Sequence, residues 1–290
     1  MADDSRETTR RELVGGLAAS TMFAQPAGRR PNVLFYFPDQ LRAQEVGYNG
    51  GRNIPTPNID RLASQGVVFT NAVSTCPLCT PYRAMLQTGR WPSLSGGVMN
   101  WINLPSTGPS MADVFARAGY ETGFLGKWHL AAGARAGSLK RGEPVKPGAE
   151  SEFVPPGPTR MGYRHWEAFN FHANFANAFY YRDTAERLFM PKYETDSLTD
   201  MAIEFMRRRS ASGQPFFLVV APHPPHPPWR PDQTPESSLA RTPAELYWRP
   251  NVKSRKDAVV GYFENLGGKN RVGFPCLTIR PEAGVPLLFH

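Results

Sequence analysis

The stretch SMADVFARAGYETGFL, residues 110–125, contains a helix pattern followed directly by a strand pattern. Its first half places apolar side chains at the spacing of one helix face, at Met111, Val114, Phe115 and Ala118. Ser110 is a favoured N-cap residue and Gly119 a favoured helix end, so we predict a helix between them. The apolar run Tyr120–Leu125 predicts a strand. A helix that leads directly into a strand is typical of an α/β protein.

The same alternation of strand and helix patterns extends along the chain. Short apolar runs predict three further strands, at Val33–Phe37, Val67–Phe69 and Phe216–Ala221. We expect the first of these strands to be buried. Asn58 can cap a helix that Gly66 ends, and an apolar stripe over residues 198–206 predicts another helix. We therefore predict an α/β fold of three layers, in which helices flank a largely parallel mixed sheet and ligands bind at the carboxyl ends of the strands.

The composition is that of a globular protein with a basic surface. The chain has 290 residues, 41% of them hydrophobic, and its 33 Lys and Arg against 25 Asp and Glu give a net charge of +8. This composition excludes a disordered chain, a collagen and a small disulfide-rich scaffold. The mean hydropathy is −0.41, and because no long apolar run occurs, we expect no membrane-spanning helix. The arginines are scattered rather than clustered, so we expect an anionic substrate and no nucleic acid.

The first thirty residues have the features of an export signal. Arg10 and Arg11 precede a weakly apolar stretch from Leu13 to Ala24, and small residues follow it. Paired arginines before a short, modestly hydrophobic stretch resemble a twin-arginine signal. The alternative is a short amphipathic helix of the folded domain. On the first interpretation residues 1–30 are a signal, and the mature chain is periplasmic or secreted.

Cys79 lies next to the start of a predicted helix. Thr80 is a good N-cap residue, Pro81 suits the first helical turn, and Gly89 can end the helix. Free N–H groups at a helix N-terminus attract anions. Arg83 lies one turn into this helix, so it can reach toward the same anion.

Two other interpretations of the cysteines remain open. Cys76 and Cys79 form a C-x-x-C pattern, which also occurs in redox pairs. A zinc site needs about four nitrogen or sulfur ligands, and Cys276 is the only further thiol. Nothing else in the sequence supports a thioredoxin-like domain around these residues.

Four groups of motifs resemble those of one enzyme family. The pattern Cys-x-Pro-x-Arg at residues 79–83, followed by Leu-x-Thr-Gly-Arg at residues 86–90, is similar to the signature of the type I sulfatases. The other motifs follow the order of that family, and they lie at residues 31–40 with 56–63, at residues 126–130 (GKWHL) and at residues 222–229 (PHPPHPPW). The resemblance covers residues 32–266. It implies an alkaline-phosphatase-like fold and the hydrolysis of sulfate esters.

In this family the signature cysteine is oxidised to formylglycine, which implies a formylglycine-generating maturation enzyme as a partner of this chain. The resemblance assigns that position to Cys79. Its hydrated aldehyde carries two hydroxyl groups: one attacks sulfur and expels the alcohol, and the second, on losing its proton, releases sulfate. Arg83 would hold the formylglycine and screen its charge.

The resemblance also assigns roles to basic residues after two predicted strands. Lys127 would contact both the sulfate group and the nucleophile. His129 would take the proton that drives sulfate release. His226 would bind sulfate and protonate the leaving oxygen, while His223 is a nearby alternative for that role. Lysine and histidine suit anion binding and proton transfer near neutral pH. The substrate implied is a small sulfated molecule.

The metal ligands implied by the resemblance are incomplete in this sequence. The family binds Ca²⁺ or another divalent cation, and Asp39, Gln40 and the modified Cys79 match its ligand positions. Family members add a later Asp-His or Asp-Asn pair, but this chain has neither dipeptide and its last aspartate is Asp257. Glu264 with Asn265 could replace that pair, although this position matches a helix. We therefore predict weak metal binding.

The likeness to the family fades near residue 267. We expect a sulfatase N-terminal catalytic domain at residues 31–266 and a divergent tail at residues 267–290, with a C-terminal part that is incomplete. A sheet that lacks its later strands would expose apolar surface. The aromatic segments at residues 163–166 and 169–181 either line the pocket or pack in the core.

Four hypotheses follow for the function. The first is an exported sulfuric ester hydrolase that uses formylglycine and a divalent cation. The second is a related phosphonate or phosphate diester hydrolase, because the same scaffold handles tetrahedral anions in general. The third is a catalytically inactive fragment of a sulfatase, and the fourth is a thiol–disulfide protein.

Overall fold

A computed structural model describes residues 30–104, 108–131, 152–228, 231–241 and 247 of the chain. The chain divides into two compact units, Met1–Asn32 and Val33–His290. In the first unit only residues 30–32 are described. The predicted signal, apart from residue 30, and the predicted tail at residues 267–290 lie outside the described residues. All elements named below belong to the second unit.

The strands of the second unit form one parallel sheet and one short ribbon. In the described residues they are β1 (Val33–Tyr36), β2 (Glu121–Lys127), β3 (His165–Phe169), β4 (Phe179–Tyr180), β5 (Leu188–Phe189) and β6 (Phe216–Ala221). The sheet has the order β1-β6-β2-β3, and every neighbouring pair in it is parallel. β4 and β5 pair antiparallel as a separate ribbon.

Helices connect these strands. In chain order the described α-helices are α1 (Pro57–Gln65), α2 (Cys79–Thr88), α3 (Pro92–Ser95), α4 (Met111–Arg117), α5 (Glu194–Ser212) and α6 (Glu236–Leu239). Short 3-10 helices lie at Ala43–Glu45, Gly47–Asn49, Pro158–Arg160 and Pro231–Gln233. Among the helices of the described residues, none has the length and apolar character needed to cross a membrane.

β6 forms the centre of the fold, and all six of its side chains are buried. Its alternate residues enter two separate cores. Phe217 and Val219 pack in the core that includes Ala112 of α4, whereas Leu218 packs in the core that includes Phe205 of α5. Helices therefore cover both faces of the sheet, which confirms the predicted α/β fold with a parallel sheet flanked by helices.

β1 is less buried than its sequence predicts. Its burial alternates along the strand, and Leu34 and Tyr36 are 47% and 48% exposed. The reason is its position at the edge of the described sheet, where it pairs only with β6. The prediction of a buried strand at Val33–Phe37 is therefore right about the strand and wrong about one of its faces.

The predicted strand at Val67–Phe69 is wrong. The structure has no strand there, and Val67 and Phe69 are 82% and 80% exposed. The local apolar run predicts a strand only if a neighbouring strand pairs with it. The cap assigned to Asn58 is also wrong, because α1 begins at Pro57 and its N-cap is Thr56. Gly66 ends this helix as predicted.

The quoted stretch at residues 110–125 folds largely as predicted. Ser110 caps α4 through a capping box, in which its side chain accepts from the N–H of Asp113 and the Asp113 side chain accepts from the N–H of Ser110. The helix ends at Arg117, two residues before the predicted Gly119. The strand that follows is longer than predicted and includes Lys127 as its last residue.

Candidate active site

Three of the predicted site residues meet at the carboxyl ends of parallel strands. Asp39 follows β1, Lys127 ends β2 and His223 follows β6. The Asp39 N–H donates to the carbonyl oxygen of Pro222 at 3.0 Å, which continues the β1–β6 pairing into the site. The strand order of the sheet therefore places side chains from distant parts of the sequence beside one another.

Asp39 is the negative centre of this cluster. Its Oδ2 lies 2.5 Å from Lys127 Nζ and 3.2 Å from Arg83 Nη2. Burial by itself would raise the pKa of Asp39, but the charges of Lys127 and Arg83 outweigh it and hold that pKa well below its usual range. Lys127 is fully buried, so Asp39 supplies the negative charge that a buried ammonium requires.

Gly126 allows the strand end that carries Lys127 to approach β6 closely. Its φ is +97°, and a Cβ at this position would lie 2.4 Å from the carbonyl oxygen of Ala221. Both the backbone conformation and the space exclude a larger side chain. The glycine thus helps to place the lysine in the gap between the ends of β2 and β6.

Cys79 lies against this charge cluster. Its Sγ is 3.7 Å from Lys127 Nζ and 3.8 Å from each carboxylate oxygen of Asp39. Burial raises the pKa of the Cys79 thiol, although the charge of Lys127 opposes this shift. Cys76 and Cys79 are not joined by a disulfide, so the structure gives no support to a redox pair at these positions.

The start of α2 differs from its prediction. The helix begins at Cys79 with Leu78 as N-cap, so the prediction that Thr80 caps it is wrong. The Thr80 hydroxyl instead donates to the carbonyl oxygen of His129 at 2.8 Å, and its N–H donates to Asn100 Oδ1 at 2.9 Å. Because its hydroxyl makes this tertiary hydrogen bond, the Thr80 side chain does not cap the helix. The helix ends at Gly89 in a left-handed conformation, as predicted.

Arg83 joins the helix to the strand ends. It is buried, and its guanidinium donates to the carbonyl oxygen of Lys127 and to Asp39. The same group lies 5.0 Å from the centre of the Phe37 ring. Arg83 therefore fixes the positions of both charged partners, in addition to contributing its own positive charge.

His129 is enclosed between two aromatic rings. The ring centres of Trp101 and Phe171 lie 4.7 Å and 4.8 Å from its own. Neither ring nitrogen has a hydrogen-bond partner among the described residues. Burial, together with the charges of Lys127 and Arg83, holds the pKa of His129 well below its usual value. The imidazole is therefore neutral at pH 7 and has a lone pair to accept a proton.

The two histidines after β6 differ in burial and contacts. His223 is fully buried and its Nε2 lies 3.0 Å from Lys127 Nζ. His226 is partly exposed, and its Nδ1 lies 2.7 Å from the carbonyl oxygen of Pro227, which leaves Nε2 as its other ring nitrogen. Burial and the charge of Lys127 lower the pKa of His226 to about 4. The ring centres of the two histidines are 4.6 Å apart.

Sequence reasoning missed several residues of this site. Phe171 contacts His129, His223 and the Lys127 ammonium, the last at 4.7 Å from its ring centre. It lies in the aromatic segment that the sequence analysis identified, but most of that segment packs in the core. Trp101 and Glu194 had no recognisable sequence signal. Both are near the site only because of the tertiary fold.

One group of residues that could hold a metal ion shares Asp39 with the predicted ligands, while the roles of Gln40 and the modified Cys79 stay predictions. In the described residues Asp39, His223 and His226 offer ligand atoms within 4.8 Å of one another. Calcium prefers six to eight oxygen ligands, whereas this group supplies one carboxylate that Lys127 and Arg83 already neutralise. This group therefore does not by itself fit calcium, and no chemical step is assigned to a metal.

The fold and this geometry define a class: an α/β protein with a buried cationic site at the carboxyl ends of a parallel sheet. The model of the family described as Sulfatase matches residues 31–259. The chain therefore belongs to the sulfatase family. The ulvan-active sulfatase of Formosa agariphila is 32% identical to it over 243 residues, which are 82% of this chain and 43% of that protein.

Other relatives and solved structures agree with this assignment. The endo-4-O-sulfatase of Bacteroides thetaiotaomicron is 28% identical and matches 88% of this chain and 56% of its own length. The structure of YidJ from Bacteroides fragilis, assigned to the sulfatases, aligns with a TM-score of 0.64 and 31% identity over 74% of this chain and 48% of that one. The chain thus spans about half the length of the relatives it matches.

Proposed function

We propose that this chain belongs to an enzyme that hydrolyses sulfate esters, with the side chain at position 79 as the source of the nucleophile. The observation that carries the proposal is the position of Cys79 Sγ, 3.7 Å from the buried Lys127 ammonium in a chain of the sulfatase family. A sulfate ester is an anion, and its hydrolysis needs both a nucleophile and positive charge near the developing negative charge.

The protonation state of Cys79 makes the unmodified thiol a poor candidate for the nucleophile. Because burial raises the pKa of Cys79, the unmodified side chain is a protonated thiol at pH 7 and a poor nucleophile. We infer that a maturation enzyme converts Cys79 to formylglycine with a two-electron oxidant such as molecular oxygen. The Cβ–Sγ bond breaks, the sulfur leaves as sulfide and water supplies the aldehyde oxygen. Hydrated formylglycine supplies one hydroxyl group to attack sulfur and a second whose deprotonation frees sulfate.

The chain's own residues bind the sulfate group by charge. Lys127 and Arg83 carry two positive charges against the single carboxylate of Asp39, so the buried cluster has an excess of one positive charge. That excess attracts an anion, and the low dielectric of the buried site strengthens the attraction. His226 is the more exposed of the two histidines after β6, which favours it over His223 as the residue that meets the substrate.

Two imidazoles of the site are neutral and can take part in proton transfer. His129 is neutral, and both of its ring nitrogens lack partners among the described residues, so it can accept the proton whose loss drives sulfate release. His226 is also neutral in the free protein. A bound sulfate group favours its protonated form, so anion binding prepares His226 to protonate the leaving oxygen.

The names of the relatives suggest which class of sulfate ester to test as substrate. One relative is named for its activity on ulvan, and another is named N-acetylgalactosamine-6-O-sulfatase. A solved structure 27% identical to this chain, with a TM-score of 0.55, holds its substrate D-glucosamine-2-N,6-O-disulfate. We propose a sulfated saccharide as the substrate, and the periplasm or the medium, reached through the signal at residues 1–30, as the place of action.

The test uses the full chain expressed together with a formylglycine-generating enzyme. Mass spectrometry of the peptide that spans Ser74–Arg83 should show the aldehyde at position 79. Sulfate release from 4-methylumbelliferyl sulfate and from N-acetylglucosamine-6-sulfate should depend on that modification. The substitution Cys79→Ala should abolish release, whereas Cys76→Ala, which removes the neighbouring thiol, should retain it.

Two results would contradict the proposal. One is an unmodified cysteine at position 79 despite the maturation enzyme. The other is faster hydrolysis of 4-methylumbelliferyl phosphate than of the matching sulfate, which would favour a phosphate or phosphonate hydrolase instead.

A further inference from the structure

We propose that Glu194 is a positioning residue of the anion site, and that it acts by fixing the backbone of His223 and, through it, the turn that carries His226. This inference rests on the proposed function only in taking sulfate as the anion. The role follows from a hydrogen bond between the first residue of α5 and the segment after β6.

Glu194 is held firmly at the start of its helix. It has no exposed surface, and its N–H donates to the carbonyl oxygen of Phe175 at 2.9 Å. Its Oε1 accepts from the N–H of His223 at 2.6 Å. Glu194 therefore joins the start of α5 directly to His223, the first of the two histidines that follow β6.

Two further contacts carry this restraint into the site. The N–H of His226 donates to the carbonyl oxygen of His223 at 3.1 Å, which closes the turn between the two histidines. On the other side, His223 Nε2 lies 3.0 Å from Lys127 Nζ. A shift of the His223 backbone would therefore move His226 and would remove a neighbour of the lysine at the same time.

The burial of this carboxyl group is hard to explain by packing alone. Burial raises the pKa of Glu194 to about 8, and its Oε2 has no partner among the described residues. A buried polar group without its full set of partners is unfavourable for stability. A leucine would fill similar space without that cost. Without Glu194, however, the N–H of His223 would be a buried donor that lacks an acceptor. The need for this acceptor explains why a glutamate occupies position 194.

The test compares Glu194→Gln, which keeps an oxygen acceptor, with Glu194→Leu, which does not. Binding of inorganic sulfate to the full chain is measured by isothermal titration calorimetry, and the kcat and KM for 4-methylumbelliferyl sulfate are measured beside it. We expect Glu194→Leu to raise the Kd for sulfate by about tenfold or more and to raise KM in parallel. Glu194→Gln should stay within about threefold of the unsubstituted chain.

Glu167→Leu is the matched control, because it removes another buried glutamate, whose ion-pair partners are His165 and the 57% exposed Arg182 rather than residues of the candidate site. This variant should lose stability without changing the Kd for sulfate. The inference is overturned if Glu194→Leu binds sulfate normally, if Glu194→Gln is as impaired as Glu194→Leu, or if the unsubstituted chain binds no sulfate. Sulfate binding without ester hydrolysis would contradict the proposed function and leave this inference supported by the binding series.

Discussion

The centre and the edge of the sheet differ sharply in how deeply their side chains are buried. In β6 every side chain is buried, and α5 packs against it with Leu198 and Phe205. In β1 no side chain is fully buried and every second one is exposed, and α1, in the segment that follows, buries none of its residues. A similar density of apolar residues in these two strands therefore gives a core in one region and an exposed apolar surface in the other.

The candidate active site joins these two regions. Lys127 and His223 come from the central strands, whereas Asp39 follows the edge strand. Asp39 is held by the charges of Lys127 and Arg83 as well as by the backbone pairing of β1 with β6. Packing therefore fixes the cationic half of the site, while ion pairs and strand pairing hold the anionic half against it.

We expect the largest change in the free energy of unfolding when one aromatic ring is removed from the centre of the sheet. Phe124 of β2 is 1% exposed and lies against Trp128, Tyr163 and Trp166. Phe124→Ala should reduce the free energy of unfolding by about 3–5 kcal/mol, because it leaves a cavity in a close-packed core. Urea denaturation measures the loss.

Phe69→Ala is the control for this comparison, since Phe69 follows α1 and is 80% exposed. It should change the free energy of unfolding by less than about 0.5 kcal/mol. Equal losses in the two variants would show that the edge region is packed as firmly as the centre.

The next effect concerns the ion pairs that join the two regions. Lys127→Met removes the ammonium beside Asp39 and leaves a buried carboxylate with Arg83 as its remaining charged partner. We expect a loss of about 3 kcal/mol in the free energy of unfolding, together with loss of sulfate binding. Lys192→Met is the control, because Lys192 and Asp200 form an ion pair in which both side chains are more than half exposed, and such solvent-screened pairs contribute little to stability.

The smallest effect, counted per pH unit and per residue, is the dependence of stability on pH that buried histidines near the centre of the sheet cause. Burial lowers the pKa of His172 to about 4 and holds that of His223 well below its usual value. The folded protein keeps these imidazoles neutral, while the unfolded chain protonates them near pH 6.5. The free energy of unfolding should therefore fall as the pH drops below 6.5, by about 1.4 kcal/mol per pH unit for each such histidine.

Urea denaturation between pH 7 and pH 4 measures this slope. His172→Gln should reduce it, since one imidazole no longer takes up a proton on unfolding. For His172 the stabilisation is present above pH 6.5 and is lost as the pH approaches 4. The total slope also contains Glu194, whose raised pKa acts in the opposite direction. The decisive quantity is therefore the difference between the two chains, and an unchanged slope in His172→Gln would contradict the assignment of a neutral buried His172.

Much of the fold could be predicted from short segments. The strand at Phe216–Ala221 has the predicted bounds, and Ser110 and Gly89 act as the predicted cap and helix end. These features depend on residues within a few positions of one another. The strand predicted at Val67–Phe69 failed because local apolar character does not provide a neighbouring strand.

The sequence identified many residues of the candidate site but not the contacts between them. Resemblance to a family singled out Cys79, Lys127 and the histidines, and the structure brings them together. It did not single out Glu194 or Trp101, because neither residue type forms a pattern in sequence. Their roles depend on which side chains the tertiary fold brings beside them.

The sequence by itself determined the alternation of strands and helices, the excess of positive charge and the family motifs. Only the tertiary structure decided which apolar strand is buried and which charges meet. Lys127 contacts Asp39 and His223 across 88 and 96 residues of sequence. Such contacts depend on the order of strands in the sheet, and strand order is fixed by the packing of the whole chain rather than by any local pattern.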